Sequence, residues 1–426
     1  MAKSKNDLAW EELFTKHNIL NAVKTNGFYE ISAKSINEFR EARLMTKFDH
    51  SSNLPTIFER NNLSILPVTR GSYLIGCFEI FHDFVDNATS IQQVMFPNNL
   101  ESINVADISS EATAINCAYV SNILHNFSGE EDLVPTVSGR MSSSRFDFYV
   151  NNTALAQTSF INVNNSQIEI DGGYEGNNSL ILIEAKNYIS DDFLIRQLYY
   201  PFRLWQNKLT KPVRPIFLTY TNGVFDLREY RFNQINNYNS LELVYHQKYT
   251  IKTQYINLEL IQNIVETTPQ IAEPHNIPFP QADSFARIIN LCELIHDEGC
   301  LSKDSITANY DFDRRQTDYY INAARYLGLI YKGDARNFYL TKSGLDLFKL
   351  NLNQRQLELI KLIVKHPVFN KALKSTFLKG RDLNKHEIVE IMKNCELINM
   401  LSEYTYERRA STVQAWVGWI LKQREE

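Results

Sequence analysis

The chain has 426 residues, of which 44% are hydrophobic and 22% charged, and its net charge at pH 7 is −5. This composition excludes an intrinsically disordered protein, and the length favours two to four domains. No apolar run approaches the ~18 residues that a membrane span requires, and residues 1–7 lack the apolar core of a signal peptide. We therefore expect an intracellular, cytoplasmic protein without a membrane partner.

Cysteines and charge narrow the possible classes further. The five cysteines are scattered and form no Cys-x-x-Cys pair, which predicts reduced thiols rather than a zinc site or a disulfide framework. The negative net charge does not indicate nucleic-acid binding for the chain as a whole. Residues 351–426, however, hold 13 Lys/Arg against 9 Asp/Glu, so a DNA-facing surface is expected in the C-terminal part.

Prolines mark the clearest domain boundary. Pro269, Pro274, Pro278 and Pro280 lie close together, and proline continues neither a helix nor a central strand, so an extended linker is expected here. A softer boundary lies near Pro97. We predict an α+β domain over residues 1–100, an α/β domain over 101–265, a linker over 266–282, and two helical units over 283–350 and 351–426.

Hydrophobic patterns predict the elements of the first two domains. In the first domain we expect a helix over 35–45 and strands over 63–67 and 72–78, accompanied by basic side chains of which Arg43 and Lys47 are candidate DNA contacts. A helix over 108–124 follows, with Ser109 or Ser110 as N-cap. Strands over 145–150, 167–171 and 180–186, a helix over 191–205, and strands over 213–220 and 224–232 complete an α/β core.

The chemistry is expected on the two strands that carry Asp171 and Glu184. Side chains alternate along a strand, so Glu184 and Lys186 point the same way and Ala185 faces the opposite side. We expect Asp171 to end its strand, because the two glycines that follow it can release the backbone into a hairpin-like turn. Pairing of the two strands would bring Asp171 and Glu184 onto one cation, with Lys186 beside them.

Hydrolysis of a phosphodiester needs such groups. Carboxylate oxygens hold Mg²⁺, which polarises the phosphate, and a lysine ammonium orients or helps to deprotonate the attacking water. The expected metal ligands are Asp171, Glu184 and Ala185. The alternative is an edge hairpin with an ordinary Glu–Lys ion pair; the aliphatic strands on both sides and the glycine break favour the catalytic interpretation.

These residues resemble a known motif. Asp171…Glu184-Ala185-Lys186 is similar to the PD-(D/E)xK nuclease motif, and Glu-Ile-Asp-Gly-Gly-Tyr-Glu…Ile-Glu-Ala-Lys-Asn resembles type II restriction endonucleases, as does the stretch 195–203. The resemblance covers about residues 105–235. It implies a restriction-endonuclease-like core with a mixed sheet flanked by helices, Mg²⁺-dependent cleavage of double-stranded DNA, and a cognate DNA methyltransferase as a functional partner. It also implies that Glu111, on the first core helix, faces the site.

The stretch 138–146 looks similar to the same family, which makes four of its residues candidate DNA contacts: Arg140, Ser142, Ser143 and Arg145. Two departures from the family pattern concern the residue before Asp171, which is Ile170 instead of proline, and Gln197, which lacks a tyrosine four residues later. The second departure argues against a RecB-type nuclease. Glu169 and Glu175 are competing candidates for metal binding.

Residues 283–350 predict helices over 283–297, 302–308 and 313–330 and a two-stranded wing over 330–332 and 337–340, with Gly299 ending the first helix. This arrangement is similar to a winged helix, whose third helix would enter the major groove. Its expected contacts are Arg314, Arg315, Gln316 and Thr317. Winged helices also dock proteins or cap domains, and that alternative stays open.

The last segment, 351–426, looks like a second helical DNA-binding unit. Its candidate contacts are Arg408, Arg409, Ser411, Thr412 and Gln414, which precede or share a helix with an apolar face that includes Trp416. A recognition helix anchored by tryptophan is one interpretation. Equally, Trp416 belongs to a core and the arginines to a solvated helix end.

Together these features predict a sequence-specific type II restriction endonuclease. Two strands must be cut, so a homodimer is expected. The alternatives are a modification-dependent or repair nuclease of the same fold and a non-enzymatic winged-helix DNA-binding regulator. The complete set of Asp171, Glu184 and Lys186 argues against the regulator.

Overall fold

The computed structural model describes residues 4–88, 90–97, 99–154, 157–251, 256–312, 314–395, 397 and 402–424, and for residues 314, 315 and 335 it describes the backbone alone. The chain divides into two compact units. The first unit comprises residues 1–94, 110–220 and 224–250, and the second comprises residues 95–109, 221–223 and 251–426. Within the described residues, no helix is long and apolar enough to cross a membrane.

The first unit begins with a small α+β layer. Its elements are α1 (Lys5–Lys16), α2 (Ile19–Asn26), β1 (Phe28–Ser32), α3 (Ala33–Asn37), α4 (Ala42–Met45), α5 (Thr56–Arg60), β2 (Ser64–Pro67) and β3 (Ser72–Gly76). The strands form an antiparallel sheet in the order β1-β3-β2. The predicted helix over 35–45 is wrong, because the structure has two short helices, α3 and α4, with a non-helical link between them. At this link the Asn37 side chain accepts a hydrogen bond from the Ala42 N–H at 2.7 Å.

A seven-stranded mixed sheet forms the centre of the first unit. The strands of this sheet, together with the helices and the other strands of the same region, are in chain order β4 (Phe81–Asp83), β5 (Ile91–Val94), α6 (Glu111–Val120), α7 (Ile123–Ser128), β6 (Val134–Ser142), β7 (Arg145–Asn152), β8 (Gln157–Asn164), β9 (Gln167–Glu175), β10 (Leu180–Lys186), β11 (Asp192–Leu194), α8 (Arg196–Gln206), β12 (Val213–Thr221), β13 (Val224–Phe232) and β14 (Leu241–Ile251). The strand order is β5-β14-β13-β12-β10-β9-β6. The β10–β12 pair is parallel, whereas β9–β10, β6–β9 and β13–β14 are antiparallel.

Helices flank this sheet, which confirms the predicted α/β class at the level of a mixed sheet with helices around it. Both α6 and α8 pack against β9 and β10. The antiparallel hairpin β7–β8 buries Phe146 and Phe148 against Tyr199 and Tyr200 of α8. This apolar cluster continues into Leu182 of β10, so that α8 lies between the hairpin and the central strands.

Two predicted helices of this region differ from expectation: one is divided into two helices, and the other begins later in the chain. The helix over 108–124 is two helices, because Asn122 adopts a left-handed backbone with φ 61° between α6 and α7. Ser110 is the N-cap of α6 and accepts from the Thr113 N–H. The helix predicted over 191–205 begins only at Arg196, because residues 192–194 form β11 and pair with β4.

The strand that carries Asp171 does not end there. It continues through Gly172 and Gly173 to Glu175, and the turn to β10 follows Gly176. Val137 pairs with Gly173, and Gly139 pairs with Ile170. Between these two pairs β9 has two residues, Asp171 and Gly172, whereas β6 has one. An extra residue of this kind is a β-bulge, which changes the direction of the neighbouring side chains. The predicted turn at the two glycines is therefore wrong.

Gly173 is required where it stands because another strand approaches it closely. A Cβ at Gly173 would lie 2.6 Å from Val137 Cβ and 3.0 Å from the Val137 carbonyl oxygen. We expect Gly173→Ala to lower the free energy of unfolding by about 1–3 kcal/mol in chemical denaturation, because a central strand must move. Gly71→Ala is the matched control, since a Cβ there meets nothing within 4 Å, and equal stability of the two variants would contradict this explanation.

The second unit is mainly helical. Its elements are α9 (Leu258–Thr267), α10 (Phe285–Glu298), β15 (Leu301–Ser302), α11 (Lys303–Asn309), α12 (Arg314–Tyr326), β16 (Ile330–Lys332), β17 (Asn337–Leu340), α13 (Lys342–Leu347), α14 (Leu352–Val364), α15 (Pro367–Lys379), α16 (Lys385–Lys393) and α17 (Glu403–Leu421). The three strands form one sheet in the order β15-β17-β16, all antiparallel. The three predicted helices after the proline-rich segment and both wing strands are confirmed, and β15 adds a third strand.

Trp416 of α17 lies in the core of the second unit. It is fully buried, stacks on Phe369 with ring centroids 4.9 Å apart, and contacts Phe285 edge-on at 5.1 Å. Its indole N–H donates to the Ala282 carbonyl at 2.8 Å. Of the two interpretations of this tryptophan, the structure therefore supports the core residue.

One carboxyl group of the second unit makes its stability depend on pH. Burial, with smaller contributions from Asp107 and Glu298, raises the pKa of Asp297 from 3.8 to about 7. The folded state thus favours the protonated form, so stability is lost as the pH rises from about 4 to 7. We expect Asp297→Asn to stabilise the protein by about 1–3 kcal/mol at pH 8 and by less than half of that at pH 4.5. Thermal unfolding at both pH values measures this difference, and a gain that does not depend on pH would contradict it.

Candidate active site

Glu184 and Lys186 lie together on the central strand β10. All seven residues of this strand are buried, and it is hydrogen-bonded between β9 and β12. Lys186 Nζ lies 2.5 Å from Glu184 Oε1 and donates a second hydrogen bond to the Ala185 carbonyl at 3.0 Å. Because β10 is a buried central strand with a neighbouring strand on each side, this ion pair is not an ordinary pair on an exposed edge hairpin.

Asp171 reaches the same place from the bulge in β9. Its Oδ2 accepts a hydrogen bond from the Ala185 N–H at 2.8 Å, across the gap between β9 and β10. Regular pairing of these strands stops at Gly172 and Ile183, one step before Asp171. The carboxylate therefore replaces a backbone acceptor at the end of the ladder, and this contact holds Asp171 beside Glu184 and Lys186.

Glu111 comes to the site from the first residue of α6. Its Oε1 lies 3.9 Å from Lys186 Nζ, and its side chain is 40% exposed. With its amide oxygen oriented toward the helix, Asn187 accepts from the backbone N–H groups of Ser110 and Glu111, at 3.2 Å each. Asn187 thereby fixes the start of α6 next to the end of β10, and Glu111 lies where the resemblance implied.

Gln197 is a further residue of the site. Its Nε2 donates to Glu184 Oε1 at 2.6 Å from the first turn of α8. In the sequence we considered Gln197 only as part of a RecB-type pattern and set it aside because of the tyrosine spacing. Gln197 reaches the site because it is the second residue of α8 and because α8 packs on β10. The sequence predicts a helix here but does not show against which strand that helix packs.

The electrostatics of the group reflect burial and an excess of carboxylates. Burial raises the pKa of Glu184 to about 8; Lys186 lowers it in part, and Asp171 and Glu111 raise it further. Burial, opposed by Lys186, also raises the pKa of Glu111. For Lys186, burial acts to lower the pKa, but the carboxylate of Glu184 and the other negative groups raise it above its usual value. The lysine therefore stays an ammonium.

Three families match the chain. Residues 7–75 are similar to a domain of unknown function (DUF6996), residues 76–250 to another (DUF6997), and residues 287–425 to a third (DUF7226). No curated protein and no solved structure matches. Asp171, Glu184, Lys186 and Glu111 all fall within the segment similar to DUF6997.

The two competing carboxylates both pair with basic side chains outside this group. Glu169 pairs with Arg140, with Oε1 3.2 Å from the guanidinium Nε, and both side chains are more than half exposed. Glu175 pairs with Lys211 at 2.8 Å and lies opposite Leu180, at the other end of β10 from Lys186. Glu175 is therefore occupied at the far end of β10, whereas Glu169, although paired with Arg140, lines one cavity with Glu184 and Gln197.

The predicted DNA contacts of the first unit divide by exposure. Arg43, Lys47, Arg140 and Arg145 are exposed, and Ser142 is half-buried. Lys47 also acts on the site, since its charge lowers the pKa of Glu111. Ser143 is fully buried, and its hydroxyl donates to the Ser144 carbonyl at 3.0 Å. The prediction that Ser143 contacts DNA is therefore wrong, because its side chain is fully buried.

The predicted contacts of the second unit divide in the same way. Gln316, Arg408 and Gln414 are exposed, and Arg409 and Ser411 are half-buried; the side chains of Arg314 and Arg315 lie outside the described residues. Thr317 is fully buried with its hydroxyl 3.1 Å from that of Thr307. Thr412 is also fully buried and donates to Asp283 at 2.6 Å. Thr317 and Thr412 are structural residues in this fold, and the prediction that they contact DNA is wrong.

Proposed function

We propose that this chain is a Mg²⁺-dependent endonuclease that hydrolyses phosphodiester bonds of double-stranded DNA, with a core of the PD-(D/E)xK kind. The observation that carries the proposal is the convergence of Glu184 and Glu111 on the Lys186 ammonium at the end of a buried central strand, with Asp171 bound to the neighbouring Ala185 N–H. More narrowly, we propose a type II restriction enzyme, on the resemblance of residues 105–235.

The charge balance supports a metal-dependent reaction. Three carboxylates surround one ammonium, so the group carries more negative charge than an ion pair needs. Glu184 is only 8% exposed, and burying an uncompensated carboxylate is costly. A divalent cation would remove this cost, and the oxygens of Asp171, Glu184 and the Ala185 carbonyl are hard ligands of the type that Mg²⁺ prefers. When bound, the ion would polarise the phosphate and lower the pKa of a bound water.

The chain's own residues supply the remaining functions. Lys186, held as an ammonium, would orient the attacking water and offset the charge that develops on the phosphate. Gln197 donates to Glu184 Oε1 beside Lys186, which fixes the direction of that carboxylate. Of the two carboxylates that pair with Lys186, Glu111 is more exposed than Glu184, so Glu111 is the one that solvent and substrate can contact.

The second unit supports DNA binding in the proposed enzyme. We propose that α10, β15, α11, α12, β16 and β17, in this order, form a winged helix with α12 as its recognition helix. Gln316 is exposed in the first turn of this helix, and glutamine pairs with adenine in the major groove. Because both strands must be cut, we further propose a homodimer, which analytical ultracentrifugation with and without DNA tests.

Incubation of the purified protein with unmethylated phage DNA tests the function. Mg²⁺ and EDTA are compared, with Asp171→Ala as the control variant. Discrete fragments that require Mg²⁺ and disappear with Asp171→Ala support a sequence-specific endonuclease. A smear would indicate a non-specific repair nuclease, and cleavage of methylated DNA alone would indicate a modification-dependent enzyme. Binding without any cleavage would favour the DNA-binding regulator.

A further inference from the structure

The hairpin strand β8 forms the outer edge of its sheet. It pairs with β7 in a regular antiparallel ladder, and the two strands form a two-stranded sheet. Tyr149 of β7 shows how the backbone groups are directed. Its N–H donates to the Asn236 carbonyl at 2.8 Å, and its carbonyl accepts from the Tyr238 N–H at 2.9 Å. Both backbone groups of Tyr149 therefore point away from β8.

The alternation of an antiparallel ladder then determines the direction of the backbone groups of β8. Opposite residues either exchange both backbone hydrogen bonds or exchange none, and the two kinds of pair alternate. Phe160 lies opposite Tyr149, so its N–H and carbonyl point away from β7. The same holds two residues to either side, for Thr158 and Asn162. In the part of the chain that the structure describes, these six groups have no backbone partner.

The β8 edge lacks the features that keep sheet edges from pairing with other chains. Protected edge strands are short or carry charges, prolines or bulges. At one edge of the seven-stranded sheet, β6 has Pro135, Arg140 and two irregularities of register; at the other edge, β5 has only four residues. By contrast, no charged residue and no proline stands between Asp147 and Glu169, and the β7–β8 register is unbroken. The β8 edge is therefore suited to pair with a further strand.

The exposed face of the hairpin is aromatic at the middle of this edge. Phe160 is 55% exposed and Tyr149 is 48% exposed, and their ring centroids lie 5.2 Å apart. The neighbours of Phe160 on the same face of β8, Thr158 and Asn162, are exposed and uncharged. A strand that pairs with β8 would cover part of this aromatic pair and would meet no charge on β8.

We propose that the partner is β8 of a second copy of this chain, paired antiparallel about a two-fold axis at Phe160. The axis places Phe160 opposite its own copy, and Thr158 opposite Asn162 of the second copy. Each of these pairs exchanges both backbone bonds, so this register uses all six free groups of each copy. Charge also favours the copy as the partner, because self-pairing of β8 brings no like charges together. A two-fold contact of one surface with itself is the usual interface of a homodimer.

Sedimentation of the full-length protein without DNA tests this interface. We expect a wild-type dimer, and we expect Phe160→Lys to raise its dissociation constant by roughly 10-fold or more, because two like charges then lie opposite each other at the axis. Val134→Lys is the matched control and should leave the dimer intact, since Val134 is 57% exposed on the other edge strand, β6. Circular dichroism checks that the variants fold. A monomeric wild-type protein, or a Phe160→Lys protein that dimerises like the wild type, would overturn the inference.

A mixture of two variants tests the position of the axis. Phe160→Glu should weaken the dimer as Phe160→Lys does, whereas an equimolar mixture of the two variants should form a heterodimer, because opposite charges then meet at the axis. Native mass spectrometry measures the heterodimer. If the mixture stays monomeric, Phe160 does not lie opposite its own copy and the inference is wrong. Neither readout uses DNA cleavage: a dimer that cuts no DNA would refute the proposed nuclease alone, and a monomer that cuts DNA would refute this interface.

Discussion

Lys186→Ala is expected to abolish DNA cleavage while DNA binding remains nearly intact. Removal of a charge-stabilising donor from a buried site typically costs 10²–10³-fold in rate, and here the same side chain also orients the water. The fold should tolerate the change. Glu184 loses the ammonium that lowers its pKa, and burial then favours the protonated carboxyl, so no buried unpaired charge remains.

Cleavage rates with Mg²⁺ and binding to the same DNA with Ca²⁺ measure the two parts of this expectation. Lys211→Ala is the matched control, because Lys211 also pairs with a glutamate of the central sheet, Glu175 of β9, but is 37% exposed and lies at the far end of the sheet ladder. The control should cut like the wild type. If Lys186→Ala loses DNA binding together with cleavage, Lys186 belongs to a binding or structural group and the catalytic assignment is wrong.

Trp416→Ala is expected to destabilise the second unit by about 3–5 kcal/mol, the range for truncating a fully buried large aromatic residue. The substitution removes the stack on Phe369, the edge contact with Phe285 and the hydrogen bond to the Ala282 carbonyl. It leaves that carbonyl without its donor, which adds to the cost. Chemical denaturation followed by tryptophan fluorescence and circular dichroism measures the effect.

The same helix provides the control for this prediction. Tyr404 is the first aromatic residue of α17 and is 67% exposed, so Tyr404→Ala should change the stability by no more than about 0.5 kcal/mol. A Trp416→Ala protein as stable as the Tyr404→Ala protein, with weakened DNA binding, would instead make Trp416 part of a recognition surface.

Much of the site was predictable because alternation along a strand depends on local geometry alone. Glu184 and Lys186 share a face for this reason, and the structure places their charged atoms 2.5 Å apart. Glu111 was predicted from the resemblance, and it lies 3.9 Å from Lys186 Nζ. The order of helices and short strands after the prolines followed from helical periodicity, from Gly299 and from the turns that bound the strands.

Other features required the folded chain because they depend on contacts between distant residues. The bulge at Asp171 arises where β6 and β9 differ in residue number, and no pattern within β9 shows this. The same limit applies to Gln197, which reaches Glu184 only because α8 packs on β10, and to His50, whose Nε2 lies 3.0 Å from the Tyr188 hydroxyl although the two residues are 138 apart in sequence. Thr317 and Thr412 show the converse: polar residues near a helix start look like readers of DNA until packing buries them.

The sequence by itself determined which residues alternate onto one face, the N-cap at Ser110 and the helix end at Gly299, and which carboxylates stand near a lysine. These properties follow from backbone geometry over a few residues. Only the tertiary structure decided that β10 is a central strand and that its Glu184–Lys186 pair is therefore buried. It also decided which distant side chains surround that pair, because strand order and helix packing depend on long-range contacts that no local pattern encodes.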